Sequence, residues 1–183
     1  MAIVASHRAQ ELAEQFDALV SEFESFTGGL SPAEWRMTAV NSPIWNLGED
    51  ERRAIASIAC HVADCIHIHT TMLRDAADGK PLPVPGGTWT VEGVARWNAM
   101  MAERNAQVTQ DRVRKLLLAK AAAALELIHG LTDEQLDRKL TDADREALGP
   151  FNPGLCTVGQ IIQQMLLGHL EIHRSSFQAT VGR

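Results

Sequence analysis

The sequence contains no tyrosine, and aromatic residues make up only 5% of it. The missing phenol removes one class of general acid from any mechanism the chain supports. Cysteine is nearly as scarce. Cys60, Cys65 and Cys156 are odd in number and lack CxxC spacing. That excludes a disulfide framework or a thiolate-rich zinc module, and the three read as reduced thiols of a cytoplasmic protein. Long apolar runs are absent too. The stretch Leu116 to Ala119 is interrupted by Lys120, and no segment approaches membrane-spanning length. The apolar start Met1 to Ala5 is cut by His7 and Arg8 before it reaches the length of a signal core. Nor is there a basic excess: 17 Lys and Arg face 23 Asp and Glu, for a net charge of -6. A polyanion needs a basic face, so nucleic acid is not an expected partner, whereas a small molecule is.

What is present is apolar content: 45% of 183 residues, enough to bury a full core in a single domain over residues 1–183. Its distribution is helical. From about Ser6 to Phe26, Leu12, Phe16, Leu19, Phe23 and Phe26 recur at three- and four-residue steps, and Gly28-Gly29 stops the run. Ser31-Pro32-Ala33-Glu34 is a capping box with proline at the first helical position. After the loop around Asn41-Ser42-Pro43 and Trp45, a second helix is expected from about Glu49 to Ala77, with Ile55, Ile58, Val62, Cys65, His69 and Met72 as its stripe. Pro81, Pro83, Pro85 and Gly86-Gly87 mark a surface loop.

The third helical region spans roughly Val91 to His129, with a break near Val108-Thr109 where Thr109 caps a fresh start. Leu131-Thr132-Asp133-Glu134-Gln135-Leu136 is another capping box, with Leu131 and Leu136 as a hydrophobic staple. The last helix opens at Thr157, with Gln160 as box partner, and runs to about Ala179. No segment alternates as a strand. The expectation is an all-α four-helix bundle with short extra helices in its connections.

Seven histidines punctuate this pattern. His169 and His173 lie one turn apart, about 40° from each other around the helix axis. They continue the apolar stripe Val158, Ile162, Met165 and Leu166, so they point to the core. Two neutral imidazoles so placed can converge on one ion at roughly 2.0–2.1 Å each. The competing reading is a pair of core histidines satisfied by hydrogen bonds. A third ligand must come from another helix, and helix two offers His61 and His69, with Cys65 between them at four-residue steps. Periodicity favours His69 or leaves the choice open. His67 falls on the far face, His7 near the chain start, and His129 at a helix end, where a cationic ring suits the dipole. A zincin helix needs Glu directly after its first histidine. Leu170 stands there instead, and Glu171 faces away, so this is not a metalloprotease motif.

The chain resembles the DinB/YfiT-like superfamily, which includes thiol-dependent S-transferases and the mycothiol-dependent maleylpyruvate isomerase domain. Three pieces in order carry the resemblance. They are Leu30-Ser31-Pro32-Ala33-Glu34-Trp35 with the later Trp45, Ala59-Cys60-His61-Val62-Ala63-Asp64, and Leu167-Gly168-His169-Leu170-Glu171-Ile172-His173-Arg174. The resemblance implies a DinB/YfiT-like bundle with a divalent metal, zinc or nickel, between helices two and four. It makes His61 the first ligand beside His169 and His173, and leaves His69 a core or pocket residue. It also implies a homodimer. Many relatives carry Glu and a further His where Leu170 and Ile172 stand, a departure that bears on subfamily and substrate.

Three histidines with no protein carboxylate leave an ion cationic with an open position, the architecture of a catalytic site. Such an ion lowers the pKa of bound water or holds a low-molecular-weight thiol (mycothiol, bacillithiol or glutathione) as thiolate. A metal-dependent S-transferase or hydrolase is therefore the leading expectation, against a non-catalytic metal-binding stress-response or sensor bundle and a metal-free bundle that binds an apolar ligand. No general base declares itself. Asp64 is a candidate to orient His61, or simply a solvated acid. Cys65 reads first as a small buried hydrophobe that could approach the metal. Trp89, Trp97 and Met100-Met101 read as packing or loop anchors before pocket lining. Arg112, Arg114 and Lys115 read as a solvated face.

Overall fold

The computed structural model describes residues 6–40, 53–84, 89–151 and 154–183. Met1 to Ala5, the Asn41-Ser42-Pro43 loop, Trp45, the expected helix start at Glu49, Pro85 to Gly87 and Pro153 lie outside them. Among the described residues there is no β-strand, and two isolated bridges, Thr38 with Ala54 and Lys139 with Thr157, are the extended pairings seen. The chain is all-α, as its periodicity predicts.

The helix ends follow local chemistry. Helix α1 (His7–Gly28) starts where the Ser6 hydroxyl accepts from the Ala9 N–H, and it stops at Gly29. The Ser31 box closes on itself: the Ser31 N–H donates to the Glu34 carboxylate at 2.7 Å and the Glu34 N–H to the Ser31 hydroxyl at 3.2 Å. It opens a single 3-10 turn, Glu34–Arg36. Helix α2 (Ile55–Ala77) begins later than expected. Ala54 is held extended, with the Arg53 carbonyl accepting from the Ala39 N–H at 2.9 Å while the Ile55 N–H donates to the Met37 carbonyl at 2.9 Å. Those bonds commit the backbone to the bridge and exclude a helix running through residues 53 and 54.

The third region divides into α3 (Val91–Arg104) and α4 (Gln110–His129), the latter capped by Thr109 as predicted. Two short helices follow, α5 (Asp133–Asp137) and α6 (Asp142–Ala147), each opened by a capping box. The staple pair Leu131 and Leu136 is buried at their base. The final rod starts at the Thr157–Gln160 box and has three parts. These are α7 (Val158–Gln160), a π-helical stretch (Ile161–Leu167) and α8 (Gly168–Val181).

The bundle proper consists of α1, α2, α4 and this rod. Both α4 and the rod pack against α1 and α2, which puts the last two on the diagonal. Helix α3 is not a bundle member; it lies against α2. The core runs through all four, with Phe16, Phe23, Ile58, Leu73, Leu117, Ile128, Ile162 and Phe177 sealed from solvent. Phe23 on α1 and Phe177 on α8 meet at 5.6 Å between ring centroids. Losing either ring would cost about 3–5 kcal/mol.

Two further contacts position the site. The Ser176 hydroxyl donates to the Val40 carbonyl at 2.8 Å, and the Val40 N–H donates to the Thr180 hydroxyl at 2.9 Å, tying the segment before α2 to α8. Gly149 has φ +58, and a Cβ there would collide with the Trp89 carbonyl. Trp89 is held at that corner by its own N–H, which donates to the Ala147 carbonyl at 2.9 Å.

Candidate metal centre

Helix α2 brings His61 and His69 to its buried face two turns apart, each 7% exposed. The rod presents His169 and His173, at 6% and 3%. Their rings meet in the space between the two helices. His61 lies 5.2 Å from His169 and 5.5 Å from His173, both edge-on, and His169 lies 4.6 Å from His173 between centroids. One ligand nitrogen from each of His61, His169 and His173 lies within 4.8 Å of the others. On a tetrahedral ion with bonds of roughly 2.1 Å, nitrogens sit about 3.4 Å apart, so small χ rotations close these three rings on one ion. The donor set fits a divalent ion of borderline softness.

Burial settles the protonation state of the cluster. Desolvation pushes His61 and His169 well below the ordinary imidazole value, with the Arg53 guanidinium adding to the effect on His61 and the neighbouring His173 to that on His169. His173 is lowered to about 3, by burial first and Arg53 second, and His69 to about 4 by burial. All four are neutral at pH 7, the form in which an imidazole donates a lone pair to a metal. Arg53, 9% exposed, makes the surroundings more positive still.

The remaining candidates fall into place around this centre. Asp64 does not support His61; it forms an ion pair with Lys120 of α4. Glu171 is directed away from the rings and pairs with Arg174 at 2.8 Å, which also reaches Glu22 at 3.0 Å. His7, His67 and His129 are exposed, as their positions predict, and so are Arg112, Arg114 and Lys115.

Periodicity undervalues two tryptophans. The Trp97 ring on α3 lies 5.4 Å from His61, and Trp89 lies 6.4 Å from His69. Met101 is buried and Met100 exposed. A helix that packs on α2 places one aromatic ring over the histidines, and no spacing rule within α3 could announce that.

Cys65 and His69 also enter the site, beyond the part expected of them. With His169 they form a second buried group whose ligand atoms lie within 4.8 Å of one another. The only signal in the sequence was the four-residue step from His61 through Cys65 to His69.

No helix among the described residues is long and apolar enough to cross a membrane. Comparison with curated proteins and with solved structures found no match. A family model, that of the DinB superfamily, matches residues 15–176, from within α1 to within α8 and across both histidine-bearing helices. By that match the chain belongs to the DinB superfamily.

Proposed function

We propose that this chain is a metal-dependent enzyme of the thiol S-transferase or hydrolase type, in which His61, His169 and His173 hold a divalent ion, zinc or nickel. The observation that carries the reading is the convergence of three buried, neutral imidazoles from two helices, with no carboxylate in the group. An ion on three neutral ligands keeps its full charge, and when bound it supplies Lewis-acid activation of a thiol or a water.

The chain's own residues do the rest. The apolar walls of α2 and the rod keep water from the rings. Trp97 and Trp89 flank them and offer flat surfaces to a small electrophilic substrate. A low-molecular-weight thiol (mycothiol, bacillithiol or glutathione) is the cosubstrate that the family resemblance suggests, and a homodimer rests on the same resemblance. A second reading, a metal-binding stress-response or sensor bundle without catalysis, is favoured by one specific feature. Asp64, the acid nearest to His61 in sequence, is engaged by Lys120 and is not available as a base there.

The test has two stages. Elemental analysis of protein purified without added metal should show about one zinc or nickel per chain, lost in His169→Ala. Turnover is then assayed with each of the three thiols and monochlorobimane. Metal-dependent conjugation with one of them supports the transferase. Stoichiometric metal without thiol conjugation or hydrolysis supports the binder. Wild-type protein without bound metal, and unable to take it up, overturns the proposal.

A further inference from the structure

Five metal-binding side chains meet between α2 and the rod, more than one three-histidine ion can use. Cys65, His69 and His169 make a buried group of their own, with ligand atoms within 4.8 Å. It overlaps the histidine triad at His169. The Cys65 sulfur also lies 3.5 Å from Nε2 and 3.8 Å from Nδ1 of His61, so the two groups are contiguous.

His69 supplies the independent observation. Its Nδ1 is fully buried and has no hydrogen-bond partner. A buried nitrogen in that state costs free energy unless something takes its lone pair. A bound metal ion supplies such a partner, since a neutral imidazole nitrogen donates its lone pair to it.

We infer that Cys65, His69 and His169 form a second, sulfur-containing metal position that overlaps the three-histidine position and competes with it for His169. A neutral imidazole has one free lone pair, so His169 serves one ion at a time and the chain binds one ion in either position. A thiolate with two imidazoles selects a thiophilic ion such as zinc. On binding, the Cys65 thiol releases its proton to solvent, a metal–sulfur bond forms, and a water leaves the ion. The sulfur position stands without the three-histidine reading; only the competition rests on it.

Cobalt(II), which replaces zinc and reports thiolate ligation by a near-ultraviolet sulfur-to-cobalt charge-transfer band, is the probe. It is titrated under reducing, anaerobic conditions into wild type, His173→Ala and His61→Ala, each with and without Cys65→Ser. Native far-ultraviolet circular dichroism serves as the folding check. The expected result is one cobalt per chain in wild type, in Cys65→Ser and in each single histidine variant, with the band present in His173→Ala or His61→Ala. Adding Cys65→Ser to either histidine variant breaks both positions and abolishes the band and stoichiometric binding.

Zinc K-edge absorption on the unmutated chain gives a readout free of any folding effect: a sulfur scatterer at roughly 2.3 Å. Absence of the charge-transfer band in the folded variants, or of sulfur around zinc if neither variant folds, overturns the inference. Two cobalt ions per wild-type chain overturn the competition. The triad is tested separately with Cys65→Ser/His69→Ala. If that protein binds no cobalt, the three-histidine reading fails, while the sulfur position still stands or falls on the charge-transfer band and the sulfur scatterer.

Discussion

The rings of His61 on α2 and His169 on α8 stand edge-to-face with their centroids 5.2 Å apart, in a space where both are all but sealed from solvent. His169 belongs to two groups of metal-binding side chains, one with His61 and His173 and one with Cys65 and His69.

His169→Ala should therefore weaken zinc binding more than any other single substitution. Loss of a supporting partner around a metal site costs about 10–100-fold in affinity, and a shared ligand should cost at least the upper end of that range. Competition against a chromophoric chelator measures it. An affinity within a few-fold of wild type would remove His169 from the site.

Asp64 offers the opposite expectation. Its partner is Lys120, with the two side chains 25% and 21% exposed. Asp64→Asn should change stability by about 1 kcal/mol and leave zinc affinity within about twofold. A loss of 10-fold or more would show that the carboxylate orients His61 after all.

Acid should unfold the metal-free protein early. His69 and His173 are held neutral with values lowered to about 4 and about 3, against 6.5 for an ordinary imidazole. Below pH 6.5 the unfolded chain takes up protons that the folded chain refuses, so stability is full above that pH and falls as the pH drops towards 4 and 3. Each group contributes a slope of up to about 1.4 kcal/mol per pH unit. Chelator-treated protein should show a falling Tm between pH 6.5 and 4.5. A flat profile would mean that the rings are protonated or solvated in the fold.

Trp97 should report on the ion. Its ring lies 5.4 Å from His61, so nickel or cobalt at the triad should quench its fluorescence. Trp97→Phe should remove most of that quenching while leaving the binding isotherm unchanged. Equal fractional quenching in the variant would place the ion elsewhere.

Gly149 is a stability prediction tied to the same region. With φ +58 and the Trp89 carbonyl in the way of any Cβ, Gly149→Ala should cost about 1–3 kcal/mol. Urea denaturation gives the number, and a neutral result would mean that the 147–149 corner relaxes freely.

Much of the fold was legible because helix ends are written locally. Thr109, Thr132 and Thr157 cap the helices predicted for them, since a hydroxyl reaches only the N–H groups two or three residues on. The His169–His173 pair was legible for the same reason: one turn of helix puts both rings on one side. What their partners are was not a local question. His61 and His69 stand about 12 Å apart along α2, and the ring that meets the pair depends on how far α2 is displaced along the rod. Packing of the whole core sets that displacement, so the sequence by itself left the choice open. Tertiary structure puts His61 with both rod histidines, and His69 with His169 and Cys65. Trp97 arrives from α3, which the helical period counted as part of a bundle member and which instead folds across α2. Periodicity determines which face of a helix is buried; only the packing of helix on helix decides what that face meets.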